Sequence, residues 1–440
     1  MSETKFLELF CKGMYKITDY GACVCDSLQT EAIQKTIDVC FQNGGGTVLV
    51  PCGIFYTGGL RLRSGVRLHL ESGAILIGSN NPEDYTGYVN DKIEPLNNID
   101  EPMEGICPSV YPFSRWNNAI IRVIDAENIA ITGDKGSYIN GVNCYDNQGE
   151  EDFRGPHVLN IQNSKNVYLE GYTIVDSGNW SHAIFKTANI TARNVTIYGG
   201  HDGFDVRTCD NVLIEDCAFS TGDDCVAGYD NNDVIVRNCK FDSACSVFRF
   251  GGNNVLIENC NASSPTNFGH RYTMTDEQKM SGVRTDETCR HNTLTPFLYY
   301  CDFRVNPRKP PENITIRNCN FESPDTFFRM HFDGEHRWCC NRPLLSIKYE
   351  DCTITNICET STIHGDEKEP ISFTMKNVNI SVRNGFEDIP LIEATNFKEI
   401  IFDNVSVNGL ASPTIIARTK GDVKLNNSTM IQIKEDFLPE

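Results

Sequence analysis

The chain has 440 residues, with 39 lysines and arginines against 59 aspartates and glutamates, for a formal net charge of −20. That balance argues against general nucleic-acid binding and against docking to anionic membranes, and no run is long and apolar enough to span a bilayer. Length alone suggests about three domains, yet no Pro/Ser-rich linker or compositional shift divides the sequence, so one domain is expected over residues 1–440.

The opening MSETKFLELFCKGMYK lacks the charged-then-apolar pattern of a secretory signal, and a soluble cytoplasmic protein is expected. Thr30 to Asn43 places Ala32, Ile33, Ile37 and Cys40 on one helical face, and Gly44-Gly45-Gly46 terminates that helix. A helix there would cap the open first coil, with the cap and first coils spanning 15–80. Pro82 to Ile120 shows no period and is expected to form a wall of a groove.

A unit of the form Asn-apolar-x-apolar-x-Asn/Asp-small-x-apolar then recurs. NVYLEGYTI begins at Asn166, NITARNVTI at Asn189, NVLIEDCAF at Asn211, DVIVRNCKF at Asp233 and NVLIENCNA at Asn254, in steps of 23, 22, 22 and 21 residues. Copies at Asn128, Asn313, Ser346, Ser372 and Glu399 extend the array over main coils at 120–430. Apolar alternation makes each unit a half-buried strand, and the Asn, Asp and Gly boundaries make bends. Strands repeating every twenty-odd residues, without a leucine signature, indicate an all-β solenoid, a single-stranded parallel β-helix.

In that register Asp202 falls one coil before Asp223 and Asp224, so three carboxylates crowd one patch. Such crowding shifts pKa values and marks a candidate active site. Asp205, Asp210, Asp216, Asp230 and Asp233 are read as ordinary bend residues. Trp180 and His182 lie one coil earlier, His201 beside Asp202, and Arg249 one coil later; these are candidate substrate contacts. Carboxylates that splay apart on neighbouring coils would reach the roughly 6.5–9.5 Å separation of an inverting glycosidase. An inserted loop at 261–312 brings His270, Arg271, Arg284, Arg290, His291, Tyr299 and Tyr300. Phe327 to Gly334, with Arg337 and Trp338, adds Arg329 and His331 as candidate contacts from a later coil.

Of the twenty cysteines, Cys217, Cys239, Cys260, Cys319 and Cys352 share one repeat position and are expected to stack as small buried thiols. Cys339-Cys340 is the only adjacent pair and no CxxC occurs, so neither a metal nor a cofactor is expected.

Further motifs resemble the polygalacturonase family of glycoside hydrolases, family 28. Asp19-Tyr20-Gly21-Ala22, Gly44 to Val48, Gly58-Gly59-Leu60 and Leu70 to Ala74 resemble its N-terminal part; Gly200-His201-Asp202-Gly203 is similar to its Asn-Thr-Asp-Gly motif and Thr221-Gly222-Asp223-Asp224-Cys225 to its Gly-Asp-Asp motif. The resemblance implies a right-handed β-helix and an inverting hydrolase, with Asp223 as general acid and Asp202 and Asp224 activating water. Two departures stand out. Ala244-Cys245-Ser246 replaces the family's Gly-His-Gly, and Gly282-Val283-Arg284-Thr285 only echoes its Arg-Ile-Lys carboxylate clamp. The expected substrate is therefore a small oligosaccharide or glycoside cut from a chain end, not ordinary pectin. A uronate lyase or epimerase, with Arg249 or His331 as base, and a non-catalytic carbohydrate-binding β-helix are the alternatives. The only partner expected is the oligosaccharide, and the sequence leaves oligomeric state open.

Overall fold

The computed structural model describes residues 3–86, 115–271, 273, 275, 277–278, 289–302, 307–332 and 342–437. Arg284 with its partial clamp motif, and Asp333, Gly334, Arg337, Trp338 and Cys339-Cys340, lie outside the described residues, as does most of the Pro82–Ile120 stretch.

All the described strands except Tyr145–Glu150 join one parallel sheet wound on itself; that segment makes only antiparallel bridges to Arg154. In the central coils the order is β1 (His182–Phe185), β2 (Ala188–Arg193), β3 (Thr196–Gly199), β4 (Phe204–Arg207), β5 (Asp210–Glu215), β6 (Ala218–Thr221), β7 (Val226–Arg237), β8 (Lys240–Ser243), β9 (Ser246–Glu258), β10 (Asn261–Ser263), β11 (Thr295–Tyr299), β12 (Glu312–Arg317), β13 (Asn320–Glu322) and β14 (Arg329–His331). Each strand pairs with the one a coil away: β1 with β4, β4 with β7, and β7 with β9. The long interval from Asn254 to Asn313 is one coil after all, because Val255 pairs directly with Ile314. The excess chain leaves after β10 and returns into β11, which pairs with the first half of β9. Within 261–312, then, coil strands flank the excursion.

The repeat's asparagines have a backbone reason. Asn128, Asn166, Asn189, Asn211, Asp233, Asn254 and Asn313 all adopt left-handed φ values between 55° and 62°, a conformation that Asn and Asp tolerate better than other side chains. Their side chains also form a ladder: Asn189 Nδ2 donates to Asn166 Oδ1 (2.8 Å) and Asn211 Nδ2 to Asn189 Oδ1 (3.1 Å). The five repeat cysteines are buried as expected. Each thiol donates at 3.2 Å to the carbonyl two residues back, as Cys217 does to Glu215 and Cys239 to Arg237.

A short helix α1 (Glu3–Leu7) precedes the cap helix α2 (Thr30–Gln42). Ile33, Ile37 and Cys40 of α2 are buried in the same core as Val48, Val66 and Leu68 of the first coils. Gly44 follows at φ 87° and donates to Phe41 O, ending the helix as a left-handed cap.

Replacing Asn211 with Ala keeps the left-handed bend but removes the side chain that tolerates it and one ladder bond. A loss of about 1–2 kcal/mol is expected from the backbone, with Asn211→Gly losing less; denaturant melts of the two variants check the order.

Candidate active site

The acidic trio sits at the bends that enter β4 and β7. Asp202 lies between β3 and β4, and Asp223 and Asp224 between β6 and β7. Backbone and carboxylate bonds lock the bends together. Asp224 N donates to Asp202 Oδ1 (3.1 Å), Ser246 N to Asp224 Oδ1 (2.9 Å) and Gly203 N to Asp224 O (3.0 Å). Thr221 Oγ1 and Ser243 Oγ both donate to Asp223 O (2.7 and 2.8 Å). Gly222 must be glycine, since a Cβ there would stand 2.2 Å from Gly269 O and 2.5 Å from Gly200 O. The register therefore does gather the three aspartates. One oxygen from each lies within 4.8 Å of the others, and all three side chains are buried.

These are the closest oxygens, whereas the roughly 6.5–9.5 Å of an inverting enzyme is measured between whole carboxyl groups.

The environment separates the three acids. Burial pushes Asp202 well above the ordinary carboxylate range, and the charges of Asp223, Asp224 and Asp205 add to it. Burial, then Asp223, pushes Asp224 up to about 6, against the pull of Arg249 and the Ser246 N–H. Burial alone would raise Asp223 too, but Arg271, His270 and Arg154 hold it well below its usual value. Arg271 Nε donates to Asp223 Oδ2 at 2.9 Å, Arg154 Nη2 stands 3.5 Å from the same oxygen and His270 Nε2 3.7 Å from Oδ1. The raised proton affinity thus lies on Asp202 and Asp224, and Asp223, expected as the acid, is the ionised member of the free site.

Two loops outside the coils supply these cations. Arg271 comes from the excursion after β10, where its N–H donates to Gly222 O (3.3 Å); its Nη1 donates to Glu151 Oε1 (2.8 Å) of a loop preceding β1. Arg154 of that loop donates to Glu151 Oε2 (3.2 Å) and Asn179 Oδ1 (3.0 Å). His201 is buried beneath both, bonded to Thr273 Oγ1 (2.6 Å) and stacked on Phe153. Burial and the neighbouring Arg154 hold its imidazole neutral.

The other predicted contacts divide. Arg249 reaches the site: Nη1 is 3.8 Å from Asp224 Oδ2, and its guanidinium lies 3.9 Å over the Tyr300 ring. Arg329 occupies the same register column, with Leu298 between them, so it stands two strands along the face. It is tied to Glu359 (2.6 Å) rather than to the trio. His331, beside it on β14, contacts Thr362 and His364. Trp180 and His182 are not exposed sugar contacts. Trp180 is buried against Trp116, with the Arg207 guanidinium 4.5 Å over its ring. His182 is a core residue, stacked 3.9 Å from Phe204 and bonded to Tyr172 Oη (2.9 Å), and burial drives its pKa to about 3. Asp205 is no bend either: it lies buried in β4, paired with Arg207 at 2.6 and 2.8 Å. Asp230 is likewise buried and paired with Arg308.

Two compact donor sets, Asp202–Asp223–Asp224 and Asp223–Cys245–His270, have the spacing to hold a cation. Asp223 belongs to both, and its charge is already met by Arg271.

Comparison with known proteins finds similarity to one family of carbohydrate hydrolases. Residues 104–262 match Glycosyl hydrolases family 28. An exo-poly-alpha-D-galacturonosidase of Dickeya chrysanthemi is 26% identical over 248 residues, covering 48% of this chain and 41% of that one. A probable polygalacturonase of Vitis vinifera is 25% identical over 209 residues, covering 46% and 41%. The matches thus span about two fifths of the length of these curated relatives. The family 28 exopolygalacturonase of Yersinia enterocolitica superposes with a TM-score of 0.62 at 17% identity, over 97% of this chain and 79% of that one, which shows a shared right-handed parallel β-helix. Over residues 104–262, then, the chain is similar to glycosyl hydrolase family 28.

The raised acids predict a stability signature. Asp224 has a higher pKa folded, about 6, than its ordinary 3.8, so the folded state binds its proton more tightly. Its favourable contribution is complete below pH 3.8 and is lost as pH rises through 6. Asp224→Asn is therefore expected to be more stable than the parent at pH 7, by up to about 3 kcal/mol, and indistinguishable near pH 3. Urea melts at the two pH values test this; a destabilised variant at pH 7 contradicts the electrostatic reading.

Proposed function

We propose that the chain is an inverting, exo-acting glycosidase that removes a terminal sugar from a small oligosaccharide or glycoside. The observation that carries the proposal is the buried trio Asp202, Asp223 and Asp224, whose proton affinities are driven in opposite directions. Three acids this close titrate as one coupled system. In the free site the shared proton belongs to Asp202 and Asp224. A sugar that draws Arg271 and His270 away from Asp223 removes what keeps it ionised. The proton then passes to Asp223, which donates it to the leaving oxygen. Asp202 and Asp224, now both charged, orient and deprotonate the attacking water.

Exo action is supported by the Arg271–Glu151 bridge, which joins two loops across the site and closes the groove beside Asp223. It is also supported by relatives described as exo-enzymes. A neutral sugar is supported by the state of the arginines: Arg154 and Arg271 already face Asp223 and Glu151. A second reading, a galacturonide, is favoured by the names of the relatives and by Arg249, a cation beside Asp224.

A panel of neutral and uronic nitrophenyl glycosides and short plant oligosaccharides separates the two substrates. Asp223→Asn is expected to fold normally and to lose roughly 10²–10⁴ in kcat; parental turnover removes Asp223 from the chemistry. Proton NMR of the first product should show the inverted anomer, and retention sinks the mechanism. With an end-labelled oligosaccharide, the earliest product should be the monosaccharide alone. Mixed early fragments show internal cleavage.

A further inference from the structure

Far from the acidic trio, the loop before α2 carries Cys23-Val24-Cys25. Cys23 is exposed and Cys25 half-buried, and their sulfurs lie 2.9 Å apart. The loop is held in that shape from below. Gln29, buried and immediately before α2, donates its backbone N–H to Tyr56 O (2.7 Å) and accepts from the Cys23 N–H at Oε1 (3.0 Å). Its side-chain amide donates to Cys25 Sγ at 3.2 Å, and the Ser27 hydroxyl lies 3.3 Å from the same sulfur. A thiol, an amide and a hydroxyl therefore converge on Cys25, the amide as donor and the other two able to donate. Donors of this kind stabilise a thiolate. The two thiols are driven apart accordingly: the bond from Cys23, then Ser27, lowers Cys25, and the bond to Cys25 raises Cys23. The repeat cysteines differ, since each is buried and donates to a backbone carbonyl.

We propose that Cys23 and Cys25 form a reactive vicinal dithiol that closes reversibly into an intramolecular disulfide by exchange with a low-molecular-weight disulfide. Cys25 thiolate attacks one sulfur of that disulfide, forming a mixed disulfide and expelling one small thiolate. Cys23 then gives its proton to the departing thiolate and attacks Cys25 Sγ. The Cys23–Cys25 bond forms, and the second small thiol leaves. The protein loses two electrons and two protons, and one small disulfide becomes two thiols. Val24, 63% exposed, packs over Gly53 and leaves the sulfurs approachable.

The test treats the reduced full-length chain with oxidised glutathione at neutral pH, quenches it with acid, alkylates the remaining thiols and maps the peptides by mass. In the parent, a Cys23–Cys25 disulfide is expected before modification of the exposed Cys11 or Cys52, without a lasting glutathione adduct. Cys23→Ser should accumulate glutathione on Cys25, since the resolving thiol is gone. Cys25→Ser should slow reaction at Cys23 by about tenfold or more. Cys23 is exposed and Cys25 half-buried, and circular dichroism checks that the variants fold. The proposal is overturned if the parent stops at a stable glutathione adduct, if Cys25 pairs with Cys52, or if Cys23 and Cys25 react no faster than Cys11.

Discussion

Parallel strands repeat at about 4.7–4.9 Å, and everything at the acidic site follows from the side chains that this spacing forces together. A residue in a coil bend has its counterpart one coil on within the reach of a hydrogen bond. Asp202 and Asp224, 22 residues apart, are such counterparts, and the N–H of one is bonded to the carboxylate of the other. The stacking that gives Asn166, Asn189 and Asn211 a favourable amide ladder gives the aspartates a repulsive one. The ladder asparagines are largely solvent-facing and bear no charge. The aspartates are buried, so their repulsion is little screened, and it shows as raised proton affinity in two of the three.

Asp223 escapes through groups the solenoid does not supply. Arg154 and Arg271 come from loops that leave the coil, and Glu151 ties them into one network with Asp223. The site thus divides into two parts. The coil fixes where the carboxylates are, and the loops decide which of them is charged. Coil bends locked by backbone bonds cannot adjust much to a ligand. Arg271, a third exposed, presents a guanidinium that a sugar hydroxyl or carboxylate can engage, whereas Arg154 is buried behind it. Coupling between sugar binding and proton position would then need no movement of the β-helix.

The same division explains what was legible in the sequence. The coil register was readable because it repeats: Asn189, Asn211 and Asp233 announce the period, and the stacked cysteines confirm its phase. Helix α2 was readable from its face and its terminating glycines. Reading which residues point outward was harder. His182 and Trp180 have polar atoms and lie near Asp202 in register, yet both are buried: strand alternation sets Phe204 into the core against His182, and Trp116 and Arg207 cover Trp180. Asp205 taken singly has the character of a bend residue; its partner Arg207, two positions on along the same face, is what buries it in a strand. Arg271 was visible within an irregular stretch, but nothing local links it to Asp223, 48 residues earlier. The signal that was available is its neighbour Gly269, whose carbonyl packs where a side chain at Gly222 would lie. Arg154 and Glu151 carried no repeat or motif signal at all.

The tightness of the trio also constrains where a nucleophilic water can stand. An inverting glycosidase usually leaves room for water between two carboxyl groups roughly 6.5–9.5 Å apart. One oxygen of each aspartate lies within 4.8 Å of the others. In the proposed mechanism the water is held by Asp202 and Asp224 together, both carboxylates accepting its hydrogens. Asp223, on the same bend but gripped from the loop side by Arg271, then faces the sugar from a different direction. Opposite-face attack is compatible with close carboxylates if the angle between them, rather than their separation, spans the ring. Adjacent positions on one bend supply such an angle, because Asp223 and Asp224 are consecutive and their side chains diverge towards different partners: Arg271 and His270 for one, Ser246 and Arg249 for the other. The paired aspartate, and not only the coil spacing, is then what lets a β-helix place an acid and a water on two sides of one sugar.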